Sequence, residues 1–508
     1  MSRAADEAEE KAAGRRWPAL SRRPAAAVLA LLTTSLIALA STSAAACRSP
    51  RRAPAAIPLP APVPAQQADA FLEDLSHRTF RWFWDLADPK TALVPDRAPT
   101  KSFSSVAAVG FGLTAYTVGA ERGWVTRADA AQRAAKTLRF LVNAPDGDAA
   151  RGMTRYRGFY YHFLDMATGE RFEKVELSTI DSALLAAGAL ACQSYFDRDD
   201  PVEAAIRADA DTLYRRMEWD WASPRPPGVS MGWTPEEGFH GYNWHGYDEA
   251  MILYLLALGS PTHPIPPSAW QEWTRTYEWG EFYGETHLNF SPLFGHQYSH
   301  VWVDFRGIHD AYMRAKGIDY FENSRRATYS QRAYATANPG AFAGYGPEAW
   351  GLTACDGPFD GEILIGGRRR KFQGYAARGA SLLHVIDDGT LSPAAAAGSV
   401  PFAPEIAIPA LMEMKRRWDP HVWNEYGFLD AFNPTLDQGV HGALTGTVVA
   451  GSGWFDRDQL GIDQGPIVAM IENYRSGLVW RTMKKNPYVV AGLKRAGFTG
   501  GWLEAPSR

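Results

Sequence analysis

Acidic side chains recur beside aromatic rings along this chain, often where a loop turns into an apolar helix. In "GYNWHGYDEAMILYLLALGSP", Gly241 to Pro261, Asp248 and Glu249 sit beside Tyr242, Trp244 and Tyr247, directly before the apolar run Met251 to Leu258. "GFYYHFLDMATGERFEKVELSTIDSALLAAGAL" supplies Asp165, Glu176 and Asp181, with Ser178 and Thr179 placed to cap the helix that follows. "GYGPEAWGLTACDGP" holds Glu348, Trp350 and Asp356. Further acids are Glu405, Glu425, Asp430, Asp463 and Glu472. Two carboxyl groups flanking a sugar bond are what glycoside hydrolysis requires. One must be protonated to donate to the leaving oxygen, and the other ionised to activate water or attack. An apolar neighbourhood raises a carboxyl pKa and favours the acid role. For Asp181, helix capping and dipole complementarity is the competing explanation.

Other chemistries find less support. "FGHQYSHVWVDFRGIHDAY" contains His296, His300, Trp302, Asp304, Arg306, His309 and Asp310. His296 and His300 are four apart and could share a helical face, but the glutamate of a helical zinc motif is missing, so no metal is assigned. No phosphate loop or dinucleotide fingerprint occurs, and "GVSMG" is not a nucleophile elbow. No cofactor is implied. A net charge of -4 argues against a nucleic-acid partner. Three cysteines, Cys47, Cys192 and Cys355, make no disulfide framework. The 18 Trp, 21 Tyr and 24 Phe suit a large core, and also the flat faces and hydroxyl rims of sugars.

The elements that must position these residues are helices. "ADAFLEDLSHRTFRWFWDLAD" places Phe71, Leu75, Phe80 and Phe83 near a helical period, and "TRADAAQRAAKTLRFLVNA" follows Thr126 as N-cap. Further windows lie near 103–118, 178–197, 201–217, 249–258, 267–279, 298–315, 321–336, 403–417, 463–478 and 486–496. Strand-like alternation is short, as around Gly361 to Ile365. About a dozen helices joined by long Gly- and aromatic-rich loops fit an all-α toroid, the (α/α)6 barrel, with a plain multi-helix bundle as the alternative.

The amino terminus reads as an address. "AGRRWPALSRR" precedes an apolar run ending at Cys47, so residues 1–46 are expected to be an export signal. Lipidation at Cys47, cleavage after Ala46 and retention as a membrane anchor through the amino terminus are the alternatives. Residues 47–68, rich in Pro and Ala, form the expected linker, and 69–508 the catalytic domain.

Taken together, "VELSTIDSALLAAGAL", "GYDEAMILYLLALGSPTHPI", "PLFGHQYSHVWVDFRG", "ENSRRAT", "GYGPEAWGLTACDGP", "GSVPFAPEIAIPAL", "YGFLDAFN" and "LGIDQGPIVAMIENYRSGLVW" resemble the bacterial glucoamylase-like (glycoamylase) family, which includes endo-β-1,2-glucanases. The resemblance implies an (α/α)6 barrel and a β-glucan substrate, most of all β-1,2-glucan, cleaved with inversion. It maps the proton donor onto Glu249, ringed by Tyr242, Trp244 and Tyr247. Retaining relatives carry a glutamate where this chain has Ala354, so a covalent intermediate is not expected. The water-activating carboxylate is then sought among Asp356, Asp165, Glu176 and Asp181. Trp302, Arg306 and Trp350 are expected to shape sugar subsites, with Glu348 beside them, and His296 and His300 to meet sugar hydroxyls or pack. The rivals are a retaining transglycosylase and a glucan-binding surface lipoprotein without activity. An exported protein, periplasmic or anchored at the outer membrane of a bacterium, is the expected setting.

Overall fold

The computed structural model describes residues 57–438 and 445–504. The expected export signal and linker residues 47–56 lie outside the described residues. Residues 57–64 run without regular structure, and the Pro58 carbonyl accepts a hydrogen bond from Arg332 Nη2. The first helix starts at Ala65, so the last four residues read as linker are helical.

Among the described residues fifteen α-helices follow in order: α1 Ala65–Leu86, α2 Val106–Glu121, α3 Arg127–Val142, α4 Thr179–Tyr195, α5 Pro201–Arg215, α6 Met251–Gly259, α7 Ser268–Arg275, α8 Tyr298–Trp302, α9 Ala311–Lys316, α10 Tyr320–Ala337, α11 Pro393–Gly398, α12 Pro404–Trp418, α13 Gly461–Arg475, α14 Leu478–Met483 and α15 Pro487–Arg495. Six of them close a ring by neighbour contacts: α2 to α4, α6, α8, α11, α13 and back to α2, with a 3-10 turn, Leu293–His296, bridging α8 and α11. This is the inner layer of an (α/α)6 barrel. Its members are largely buried, and α6 is apolar on every side. All nine residues of α6 are buried, as are Val106 to Gly119 of α2. A helix without a polar face has to sit inside the fold.

The outer helices are amphipathic. In α1 the buried positions Leu72, Leu75, Ser76, Thr79, Phe80 and Phe83 form one stripe, set against α2 and α13. α3 and α5 back α2 and α4, α15 backs α6, α10 backs the turn before α8, and α12 backs α11. The single window expected at 298–315 is divided into α8 and α9 by a loop containing Gly307 at φ 71°.

Short antiparallel pairings lace together the loops that feed the inner helices. Arg97–Ala98 pairs with Gln459–Leu460, joining the entrances of α2 and α13. Ser104–Ser105 pairs with Phe163–Leu164, and Leu177–Ser178 with Gly232–Trp233, which ties in the entrances of α4 and α6. The alternation read at Gly361 to Ile365 is a strand, paired with Arg368–Phe372.

The tightest inner crossing is α2 on α4. A Cβ added at Gly188 would overlap the Gly110 carbonyl, and one at Gly110 would overlap the Leu184 carbonyl. Both neighbours are backbone, so neither can rotate away. Gly188→Ala is therefore expected to lower stability by about 3 kcal/mol, read from denaturant unfolding. A loss under about 0.5 kcal/mol, the size of an ordinary surface change, would show that the two helices part easily.

Candidate active site

The laced loops bring two groups of acids to one end of the inner ring. The first is built around Glu249. Asp248 Oδ1 accepts from the Ala250 N–H at 2.9 Å and turns the chain into α6. Ser299 of α8 accepts from Ile252 N at 3.0 Å and donates to the Glu249 carbonyl at 3.3 Å, fixing the entrance from the neighbouring helix. Burial, opposed in part by its own backbone N–H and reinforced by the charge of Asp181, raises the Glu249 pKa to about 7. Asp248 is pushed up further by its own burial and by Glu249.

Asp181 belongs to the first turn of α4, where it is hydrogen-bonded by Ser178, the N-cap, and is 4% exposed. His162 stands between it and Glu176: Nδ1 lies 2.9 Å from Glu176 Oε1 and Nε2 lies 3.6 Å from Asp181 Oδ1. Burial opposes the imidazolium, but Asp181, Glu176 and Asp96 together carry its pKa up to about 9. Burial works against ionised Glu176 too, yet the His162 hydrogen bond and charge bring its pKa below the ordinary value.

The second group gathers at the entrance of α13. Asp430 and Asp463 share a hydrogen bond, and both are at most 3% exposed. Burial raises Asp463 to about 8, and burial plus the charges of Asp463 and Asp356 lifts Asp430 well up. Two carboxyls in contact do not readily both ionise, so the pair keeps at least one proton at neutral pH. Asp430 Oδ2 also accepts from the Asp356 N–H at 2.8 Å. Arg97 Nη1 donates to Asp356 Oδ2 at 2.5 Å and its Nε to Asp96 Oδ2 at 3.2 Å. Asp356, Asp456 and Asp458 offer oxygens within 4.8 Å of one another, a spacing that could hold a divalent cation. Tyr298, at the start of α8, stands between the groups: Glu249, Asp463 and Asp430 all act on its hydroxyl.

Of the residues singled out in the sequence, Glu249, Glu176 and Asp181 come together, and Asp356 joins the second group. Several others do not line a sugar site. Trp302 is fully buried, stacks on Phe111 and donates to Thr114 inside the ring. Trp350 is fully buried in the core beneath α11 and α12. Tyr247 is 2% exposed and lies parallel to Tyr320. His296 and His300 pack: one donates to the Phe290 carbonyl at 3.2 Å, the other meets Ser324 at 3.1 Å, and burial lowers both, His300 to about 3. Arg306 lies beyond the C-terminal end of α8, paired with Asp304 and 4.4 Å over the Trp480 ring. Asp165 is occupied by its own turn, accepting from Ala167 N, Thr168 N and Thr168 Oγ1. Glu348 lies near Arg332 and Arg416 of the outer helices, away from both acid groups. Trp244 serves from behind, its Nε1 donating to Thr179 Oγ1 at 3.0 Å. Tyr242 alone of the three expected rings is exposed, at 59%.

Residues of the site not selected from sequence include His162, Asp96, Arg97, Tyr298, Asp456 and Asp458. A lone histidine among aromatics carries no spacing signal. Asp96 and Arg97, in "VPDRAPT", did offer one, as an acid–base pair in a Pro-flanked loop just before an all-apolar helix. Tyr375 is another, half exposed, with the charges of Asp463, Asp430, Asp96 and Asp356 acting on its hydroxyl.

The raised pKa of Glu249 sets a pH signature. The folded state holds this proton more tightly than the unfolded chain, so stability is lost as pH rises from about 4.5 to about 7. Glu249→Gln removes that loss. The variant should match the wild type at pH 4 and exceed it by roughly 2–3 kcal/mol at pH 8. Equal unfolding curves at both pH values would place Glu249 in water rather than in the protein.

The family model named Glycoamylase, described as "putative glucoamylase", matches residues 241–487. A solved structure from Bacteroides uniformis with the same description is 33% identical, with a TM-score of 0.73, over 86% of this chain and 99% of that one. An endo-β-1,2-glucanase from Chitinophaga pinensis, solved with sophorotriose and glucose, is 29% identical, with a TM-score of 0.72, over 86% of this chain and 99% of that one. An exo β-1,2-glucooligosaccharide sophorohydrolase (non-reducing end) from Parabacteroides distasonis is 28% identical over 461 residues, 84% of this chain. The chain spans 58% of that relative's length. With its (α/α)6 barrel and acids at the entrances of the inner helices, the chain belongs to the glycoamylase family.

Proposed function

We propose that the protein is a glycoside hydrolase of β-1,2-glucan, with Glu249 as its general acid. The observation that carries this reading is a partly buried glutamate at a helix entrance with a pKa near 7, near the charge of Asp181 and, like Asp430 and Asp463, acting on the Tyr298 hydroxyl. A carboxyl in that range is still protonated near neutrality and can be returned to the anion in the reaction. The substrate class comes from the relatives named for β-1,2-glucans.

In the proposed step the Glu249 proton passes to the glycosidic oxygen as the bond to the anomeric carbon breaks. Water attacks that carbon from the opposite face and yields its proton to the Asp430–Asp463 pair in its singly ionised form. The product anomer is inverted. Asp356 is a weaker base because Arg97 already holds its oxygen. Glu176 is engaged by His162. A covalent route finds no carboxylate at Ala354, which is paired with Ala377 in a short strand. The amino-terminal arginines and apolar run support an exported enzyme, periplasmic or anchored at the outer membrane. No helix among the described residues is long and apolar enough to cross a membrane.

Incubation with linear β-1,2-, β-1,3- and β-1,4-glucans should release oligosaccharides from the first alone. Glu249→Gln should cut turnover by roughly 10²–10⁴-fold with folding and glucan binding nearly unchanged. Proton NMR of the first products should show the α-anomer. Near-normal turnover in the variant would sink the assignment, and β-anomeric first products would bring back a retaining route.

A further inference from the structure

His162 has no place in the step just described, yet it is one of the most constrained side chains at this end of the ring. Its backbone N–H donates to the Glu176 carbonyl at 2.9 Å, and its own carbonyl accepts from Val106 N, the first residue of α2. Its ring lies 3.9 Å from that of Phe163, centroid to centroid. Both ring nitrogens face carboxylates: Glu176 on one side and Asp181 on the other. Such a ring is not free to turn, and with an acceptor at each nitrogen it is suited to carry two protons.

We infer that His162 is a positioning residue for proton transfer: bridging Glu176 and Asp181, it fixes both carboxyl groups and offsets their charge toward Glu249. This rests on the reading of Glu249 as general acid. Without the cation, the charge of Asp181 would act on Glu249 unopposed. With it, that charge is countered before substrate arrives. Glu176 completes the arrangement from behind by holding the imidazole ring at Nδ1.

All facing charges fit this direction. Around the imidazole stand Asp181 of α4, Glu176 of the preceding loop and Asp96 from the entrance of α2. Around Glu249 stand Asp181, Asp248 and the Tyr298 hydroxyl. Beyond Glu176 is His240. His162 is the one cationic side chain with an atom within 4.0 Å of Asp181 among the described residues. Its raised pKa, about 9, keeps it charged across the range in which Glu249 must hold its proton.

The test is the pH profile of kcat/KM on β-1,2-glucan for the full chain, His162→Gln and His162→Lys. Removing the cation strengthens proton binding by the carboxyls, so the alkaline limb should move up by about half to one pH unit in His162→Gln, with a lower kcat. His162→Lys keeps a cation and should return the limb toward the wild-type position. Superimposable limbs in all three proteins, with Glu249→Gln inactive, would overturn the role of His162 alone. Turnover that survives Glu249→Gln would instead defeat the general-acid reading beneath it. Imidazole ¹⁵N shifts of the wild-type protein give a readout that needs no folded variant. One histidine still charged at pH 8 is expected, and none charged there would overturn the inference.

Discussion

The structure depends on keeping carboxylates buried at the amino-terminal ends of apolar helices. Asp181 and Asp463 each lie in the first turn of an inner helix, and Glu249 stands two residues before another. These ends carry unpaired N–H groups and the positive pole of the helix, which favour an anion. Burial opposes it. The balance differs from residue to residue, and the difference is what separates a proton donor from a fixed charge. Glu249 has no cation beside it and sits near 7. Glu176, bonded to His162, falls below its ordinary value.

The loops have to hold this balance without drifting, and short strand pairs with buried arginines do so. Arg97 sits in the strand that joins the entrances of α2 and α13 and bonds Asp96 and Asp356. Arg378 is fully buried. It bonds both oxygens of Asp388 and the carbonyls of Cys355, Gln373 and Gly374. That anchors the segment bearing Tyr375, whose neighbours Leu382, Leu383 and Val385 leave apolar surface exposed.

Much of the fold was legible because its layers have different periodicities. An all-apolar run such as Met251 to Leu258 can only be interior, and a stripe such as Leu72, Leu75, Thr79 and Phe83 can only be half-buried. The ring itself was not readable, since order around a barrel is a matter of which loops pair. Within the site, Glu249 was legible from its place at a helix entrance. Aromatic neighbours in sequence misled: Tyr247 and Trp302 point into the core, because residues beside an apolar helix share its burial. His162 was invisible for the opposite reason. Its partners lie 14 and 19 positions away on other segments, and only pairing of the loops creates the bridge.

The charges of this site are answered from within the protein, by Arg97 and His162, while the polymer proposed to enter brings none. Attraction between an enzyme and an ionic substrate fades as dissolved electrolyte screens it, over about 10 Å at 0.1 M. Here there is little for electrolyte to screen. The pairs that matter are wholly or partly buried and a few ångströms apart, and encounter with an uncharged glucan would rely on shape and apolar contact. Such a site would keep its charge pairs as ionic strength changes.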